Sequence, residues 1–146
     1  MINVFDIAKH ILDECGELTT MKLQKLVYYS QAWSLAWDDV PLFNEEFEAW
    51  ANGPVCRTLY NQHKGRFVVE PGFFDSYASN EPLTLSQQET LEAVIKFYGD
   101  REPHWLSELT HKELPWRMAR GTCEPGETCS TIITKESMQN YYGSLQ

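Results

Sequence analysis

The sequence predicts a mainly α fold: a compact helical domain of about five or six helices with a small β-hairpin element. Apolar residues recur at helical spacing in several segments, of which residues 21–37 are the longest. Capping residues and glycines stand at the ends of these segments, and only short stretches alternate as a strand does. A chain of 146 residues suits one domain, so we expect a single domain over residues 1–146.

The first two helices are indicated by their caps and by their periodicity. Asn3 can cap a first helix, which ends at Gly16. Either Thr19 or Thr20 can cap a second helix over residues 21–37. The apolar stripe of this second helix is too wide for a helix with one wet face. We therefore expect the second helix to lie at the centre of the fold.

The short extended segments follow the second helix. Residues 40–43 (VPLF) and 46–51 (EFEAWA) read as two strands of a small hairpin around Asn44. Gly53 then supplies backbone freedom, and Pro54 suits the first position of a third helix. This order predicts a strand, a break and a helix in close succession.

The second half of the chain carries further helix-start signals. Residues 66–70 (RFVVE) form a possible short strand, and residues 71–85 are predicted to be a loop because prolines, glycine and serines interrupt them. Ser86 with Glu89 matches the capping-box pattern S-x-x-E and predicts the start of a fourth helix. The remaining predicted helix starts lie at Pro103, Pro115-Trp116 and Thr134.

The charge distribution limits the classes of partner. The formal net charge is −9, with five acids and no base in residues 38–50. Phosphate binding needs clustered lysines and arginines, so we expect no nucleic-acid partner, although Lys22 and Lys25 begin a helix as in a helix-turn-helix protein. The acidity favours a basic protein partner. Its simpler interpretation is that it only keeps the protein soluble.

The cysteines and the apolar runs indicate the compartment and the absence of a metal. The sequence shows neither a signal-peptide pattern nor an apolar run long enough to span a membrane. We therefore expect a cytoplasmic protein with reduced thiols. Cys123 and Cys129 lack a second ligand pair at zinc-site spacing, so we predict no metal and no cofactor.

Enzymatic activity has weak support in the sequence. Cys56 would lie in the first turn of the predicted third helix beside Arg57, an arrangement that lowers a thiol pKa. No base is evident nearby, since His63 is about two turns away. No nucleotide-binding or hydrolase motif is present. We predict a protein without catalytic residues and keep an enzyme with a thiol or carboxylate centre as the alternative.

Five motifs of the chain match one combined pattern. The motifs are KLQKLVYYSQAWSLAW at 22–37, PLF at 41–43, FEAWANGPV at 47–55 with Tyr60, SELTHKELPW at 107–116, and I-x-x-E-x-M-x-x-Y-Y at 133–142. The first three together are the most specific. With these motifs the chain resembles the Panacea domain family of SocA-like antitoxins and phage-associated proteins.

This resemblance implies a mainly helical fold and an antitoxin that neutralises a cognate protein toxin by direct protein–protein binding. The charge makes a basic toxin the expected partner. The resemblance leaves two alternatives open. One is a proteolytic adapter that delivers a client to a Clp-type protease, and the other is a phage-encoded protein that targets a host factor.

We predict that Trp50, Arg57 and Tyr60 contact the partner, because arginine and aromatic residues are frequent anchors at interfaces. Tyr28 and Gln31 of the second helix complete the predicted partner-binding set. The simpler interpretation places Trp50 in the core. The structural residues predicted around these sites are Gly53, Pro54, Val55, Pro115 and Trp116. The five tryptophans, seven tyrosines and seven phenylalanines suffice for a substantial core and for a binding surface.

Overall fold

The computed structural model describes residues 2–145 and places seven helices and five short strands within them. The helices are α1 (Val4–Cys15), α2 (Thr20–Asp38), α3 (Arg57–His63), α4 (Leu85–Tyr98), α5 (Pro103–Lys112), α6 (Leu114–Arg120) and α7 (Lys135–Ser144). The strands are β1 (Leu18–Thr19), β2 (Phe47–Trp50), β3 (Gly53–Cys56), β4 (Val68–Val69) and β5 (Ile132–Ile133). The mainly α fold is therefore confirmed, with seven helices in place of about five or six.

Helix α2 lies at the centre, as its wide apolar stripe predicts. It packs against α1, α4, α5, α7 and β3. Twelve of its residues are buried, and they include polar side chains as well as leucines. Burial of each leucine contributes about 1.5–3 kcal/mol relative to exposure, so this helix supplies a large part of the core.

Local caps start the helices where hydrogen-bond donors would otherwise lack partners. Asn3 Oδ1 accepts from the backbone nitrogens of Phe5 (3.0 Å) and Asp6 (3.1 Å), and the Asp6 carboxylate accepts from Asn3 N (2.7 Å). Thr19 Oγ1 accepts from Lys22 N at 3.1 Å. Both predicted caps are present.

The prediction that Ser86 and Glu89 start the fourth helix is wrong. Helix α4 begins at Leu85, and its capping box consists of Thr84 and Gln87. Thr84 Oγ1 accepts from Gln87 N (3.1 Å), and Gln87 Oε1 accepts from Thr84 N (2.8 Å). This pair satisfies the donors of the first turn two residues earlier than the predicted pair would.

The predicted hairpin around Asn44 is also wrong. Strand β2 pairs with β3 through a turn at residues 51–52, with Phe47 opposite Cys56. The 40–43 segment forms no strand, because a glutamine of α2 takes its hydrogen bonds. Leu42 N donates to Gln31 Oε1 (2.7 Å), and Gln31 Nε2 donates to Phe43 O (2.9 Å).

The prediction that Pro54 starts the third helix is wrong. Pro54 lies in strand β3, and α3 begins at Arg57. The three-stranded antiparallel sheet has the order β3-β2-β5, so β3 is an edge strand. Proline is tolerated at an edge because its missing N–H breaks no bond to a further strand. Strand β5 was not predicted, whereas the predicted RFVVE strand is present as β4 and pairs with β1.

The helices within residues 2–145 are all too short or too polar to cross a lipid bilayer.

Gly53 is the backbone position most sensitive to substitution in the hairpin. Its φ of +117° disfavours any side chain, and a Cβ there would lie 2.6 Å from Lys25 Cε and 2.8 Å from Thr110 Oγ1. A strained backbone conformation alone costs about 1–3 kcal/mol. We expect Gly53→Ala to lower the free energy of unfolding by more than this, because the added Cβ also collides with its neighbours. Urea unfolding followed by circular dichroism measures this.

Gly65→Ala is the matched control. Gly65 also has a positive φ, +87°, but an added Cβ would meet nothing within 4 Å. Gly65→Ala should therefore show only the backbone cost. Equal destabilisation by the two substitutions would contradict the close packing of Lys25 on Gly53.

Candidate functional site

A cavity of about 330 Å³ lies between the start of α2, the β2–β3 hairpin and α3. We call it the hairpin cavity. It brings together two of the predicted partner-binding residues, Trp50 and Tyr60, with the buried polar residues Gln24, Lys25 and His63. Its other lining residues are Thr20, Met21, Ala51, Asn52, Val55, Thr128 and Cys129.

Gln24, which lines this cavity, hydrogen-bonds both backbone groups of Cys56, as the backbone of a neighbouring strand would. Its Nε2 donates to Cys56 O (3.2 Å), and its Oε1 accepts from Cys56 N (2.9 Å). The same Nε2 lies 3.0 Å from His63 Nε2. An amide nitrogen can only donate, so the imidazole nitrogen accepts and the ring is neutral. Burial also lowers the pKa of His63.

Lys25 is a buried amine that has no acidic partner in the cavity. Its side chain is 1% exposed, and Nζ donates to Pro54 O at 3.1 Å. None of the residues that line the hairpin cavity is acidic. Because burial penalises the charged form, the pKa of Lys25 falls to about 7. From the sequence, Lys25 stands out only with Lys22 as a lysine at the start of a helix that could mimic a recognition helix, because nothing in a helical stripe distinguishes a buried lysine from a solvated one.

Arg57 and Trp50 form a rigid outer edge of the hairpin. Arg57 donates from Nε to Glu48 Oε2 (2.9 Å) and from Nη2 to Glu48 Oε1 (2.8 Å). Its guanidinium lies 5.2 Å from the centre of the Trp50 ring, and Trp50 Nε1 donates to Glu48 Oε1 (3.0 Å). The hydrogen bonds from Arg57 hold the pKa of Glu48 below its ordinary value. Tyr60 packs edge-on against Trp50, with 4.8 Å between the ring centres.

The structure places the other two predicted partner-binding residues in the interior. Tyr28 is fully buried, and Gln31 is 1% exposed. The Gln31 side-chain amide hydrogen-bonds the backbone of residues 42 and 43. The Tyr28 hydroxyl lies 3.1 Å from the Tyr142 hydroxyl. Neither side chain presents a surface to a partner, so of the five predicted residues only Trp50, Arg57 and Tyr60 stay in the proposed contact set.

The structural residues lie in or against the sheet. Val55 is buried in β3 beside Gly53 and Pro54. Pro115 is buried at the start of α6, where Trp116 Nε1 donates to Trp50 O (2.9 Å). The Trp116 ring also stacks on His111, with 4.1 Å between the ring centres. This corner therefore fastens α6 to the hairpin.

Cys56 is not an activated thiol. It is fully buried, and burial raises its pKa to about 11, which is the reverse of the shift that a nucleophilic cysteine needs. All four cysteines are free of disulfides. No three histidine, cysteine or acidic side chains of residues 2–145 lie together as metal ligands would.

A second concave surface, which we call the aromatic groove, lies between α2, α4, α5 and the end of α7. Its volume is about 520 Å³. It exposes large apolar side chains side by side: Trp37 is 43% exposed, Phe97 57% and Trp105 39%. The full lining consists of Trp33, Trp37, Ala93, Val94, Phe97, Tyr98, Trp105, Leu109, Glu113 and Leu145.

The aromatic groove could not be predicted from the sequence because its aromatic residues come from three separate helices. Trp33 and Trp37 are one helical turn apart, and their rings stack with 5.0 Å between centres. Such an i, i+4 aromatic pair at the end of a central helix is the one local signal of a surface there. The large number of aromatic residues also indicated a binding surface, but it did not show where that surface lies.

Glu113 lines the aromatic groove and is 7% exposed. The hydroxyls of Tyr29 and Tyr142 both donate to its Oε1, at 2.7 and 2.8 Å. Burial raises the pKa of Glu113, while these two hydrogen bonds act in the opposite direction. The groove thus combines exposed aromatic rings with one buried carboxyl group.

The depressed pKa of Lys25 predicts a pH dependence of stability. The folded-state pKa of about 7 lies below the ordinary value of 10.5. Between these values the unfolded chain holds a proton that the folded chain lacks, so this group makes stability rise with pH across that window. We expect the wild type to gain stability relative to Lys25→Met by up to about 1.4 kcal/mol per pH unit between about pH 7.5 and about pH 9.5.

Urea unfolding of both proteins across this range measures the difference. Comparison with Lys25→Met cancels the contributions of cysteines and tyrosines, which titrate in both chains. A stability difference that stays constant with pH would mean that Lys25 remains charged in the folded protein, and would contradict its burial without an acidic partner.

Comparison with known proteins identifies the family. Neither the curated proteins nor the solved structures give a match. A family model described as antitoxin SocA-like, Panacea domain, matches residues 23–117, from the first turn of α2 into α6. The match covers the hairpin, α3 and most of the aromatic groove, and it extends over more than half of the chain. The chain therefore belongs to the family of SocA-like antitoxins with a Panacea domain.

Proposed function

We propose that this protein neutralises a partner protein toxin by direct binding, with the aromatic groove as the principal contact surface. The single observation that carries the proposal is the clustering of Trp37, Phe97 and Trp105 as exposed side chains around one concavity. The antitoxin family supports a toxin as the class of partner.

The composition of the aromatic groove favours a protein partner. Scattered exposed apolar residues are ordinary, whereas a contiguous apolar concavity marks an interaction site. Tryptophan and other aromatic residues dominate the energetically important centres of interfaces. Binding of this kind requires neither turnover nor a cofactor.

The groove is held in place before any partner arrives. Trp33 Nε1 donates to the Tyr98 hydroxyl at 2.9 Å, and the Tyr98 ring stacks on Tyr29 with 4.2 Å between centres. Phe97 packs edge-on against Tyr98 at 4.7 Å between ring centres. A preformed surface loses less side-chain entropy on binding, so more of the contact energy is available as affinity.

The hairpin edge is proposed as a second contact. Arg57 is exposed, and its bonds to Glu48 fix its direction. Trp50 and Tyr60 are half-buried beside it. This edge offers one charge and two partly exposed rings, which is less apolar surface than the aromatic groove offers.

The charge of the chain suits a basic toxin. The net charge of −9 attracts a basic protein over long range and raises its association rate. Screening by salt weakens this attraction, so the association rate should fall as the ionic strength rises.

Affinity purification of the tagged protein from its native cell, with mass spectrometry of the eluate, tests the proposed function. One stoichiometric basic protein, toxic when expressed by itself and harmless when co-expressed with this chain, is the expected result. If the partner survives for a shorter time in cells that hold this chain, the protein acts as an adapter to a protease. Elution of the protein with no partner would contradict the proposal.

Substitutions in the groove should weaken toxin binding. Trp37→Ala and Phe97→Ala each remove an exposed ring of the groove, and we expect each to raise the Kd by about 30-fold or more, as a loss of about 2 kcal/mol requires. Both side chains are exposed, so the fold should survive. Isothermal titration calorimetry with the purified toxin gives the Kd.

Phe67→Ala is the matched control, because Phe67 is 78% exposed and lies outside the groove. It should leave the Kd unchanged. Arg57→Ala combined with Tyr60→Ala tests the hairpin edge in the same assay. Loss of binding in that double variant, with full binding in the two groove variants, would move the principal contact to the hairpin.

A further inference from the structure

Glu113 is a buried acid without a basic partner. No lysine, arginine or histidine side chain within residues 2–145 forms an ion pair with it. It is 7% exposed and lines the aromatic groove. A buried carboxyl group is costly to ionise unless a cation pairs with it, so a cation that enters the groove would meet an acid that the chain itself leaves without a basic partner.

The hydrogen bonds of Glu113 leave one oxygen available. The hydroxyls of Tyr29 and Tyr142 both donate to Oε1. Oε2 receives neither of these bonds. Because a carboxylate can accept at both oxygens, it can take up a further donor that enters through the groove.

The walls of the groove are suited to a cation. The faces of tryptophan, tyrosine and phenylalanine rings attract ammonium and guanidinium groups, and tryptophan does so best. Trp33, Trp37 and Trp105 line this groove together with Glu113. Aromatic faces beside a carboxylate are the combination that recognises an organic cation.

Arg101 of this chain places its guanidinium near two rings of the groove. Its Cζ lies 4.6 Å from the centre of the Trp105 ring and 5.6 Å from that of Phe97. Arg101 is exposed and forms no ion pair with an acid of residues 2–145. Arg101 does not line the groove and forms no ion pair with Glu113, which therefore has no basic partner within residues 2–145.

We propose that the aromatic groove seats a basic side chain of the partner protein, with the aliphatic stem along the tryptophan rings and the charged head on Glu113. This inference rests on the proposed function and names the chemistry of the partner's anchor residue as an arginine or a lysine. The volume of about 520 Å³ is ample for such a side chain. The overall charge of −9 favours the same sign of partner.

A pair of small probes tests the inference without the toxin. N-acetyl-arginine amide carries the guanidinium, and N-acetyl-citrulline amide has nearly the same shape but is neutral. Tryptophan fluorescence, supported by NMR of the indole N–H groups, measures binding to the full-length protein. We expect the arginine probe to bind at least about ten-fold more tightly than the citrulline probe, which corresponds to about 1.4 kcal/mol. Equal binding of the two probes, or binding of neither, would overturn the inference.

Two variants locate the charge that is responsible. Glu113→Gln keeps an oxygen that can accept from Tyr29 and Tyr142 but removes the charge, so it should bind both probes equally. Glu108→Gln is the matched control on α5, since Glu108 is exposed, pairs with His104 and lies outside the groove. Glu108→Gln should keep the preference for arginine. Equal loss of that preference in both variants would also overturn the inference.

The two proposals fail in distinguishable ways. If the wild type does not discriminate between the probes while Trp37→Ala still weakens toxin binding, the groove binds the toxin without a seated cation. If the wild type prefers arginine while Trp37→Ala and Phe97→Ala leave toxin binding intact, the cation site stands and the proposed principal contact with the toxin is wrong.

Discussion

Helix α2 is buried on almost every side, and the rest of the structure depends on the pairing of the polar groups that it buries. Gln24 bonds both backbone groups of Cys56, and Gln31 bonds the backbone of residues 42 and 43. Lys25 donates to Pro54 O. An unpaired buried amide or amine would cost about 1–3 kcal/mol, so these bonds determine where the irregular segments can lie. The hairpin, the start of α3 and the 40–43 segment are all held to one helix in this way.

The same helix separates two sites of opposite chemical character. Lys25 lines the hairpin cavity, which has no acid, and Tyr29 donates to Glu113, which has no basic partner. The corner between α5 and α6 joins them, because His111 stacks on Trp116 beside the hairpin while Glu113 lines the aromatic groove. Hydrogen bonds to Lys25 and to Glu113 from neighbouring residues offset part of the free-energy cost of burying these two groups. Substitutions in this corner are therefore expected to affect both sites together.

The features whose determining contacts are local could be predicted from the sequence. Asn3 and Thr19 cap helices through bonds to residues within one turn, and Trp50 and Tyr60 share a surface because a short hairpin and helix join them. The features that depend on contacts between distant residues could not be predicted. Gln31 binds the backbone of residues 42 and 43, so the 40–43 segment does not join the sheet. The same contact buries the Gln31 side chain. The aromatic groove needs α2, α4 and α5 to meet, and no local pattern reports how three helices meet.

Oxidative footprinting of the free and the toxin-bound protein shows whether the exposed rings of the aromatic groove contact the toxin, as we propose. Hydroxyl radicals modify exposed aromatic side chains, and mass spectrometry locates the modified residues. We expect Trp37, Phe97 and Trp105 to be modified in the free protein and protected in the complex, and Phe67 to be modified equally in both. Unchanged modification of these three residues in a saturated complex would mean that the toxin does not bind at the aromatic groove.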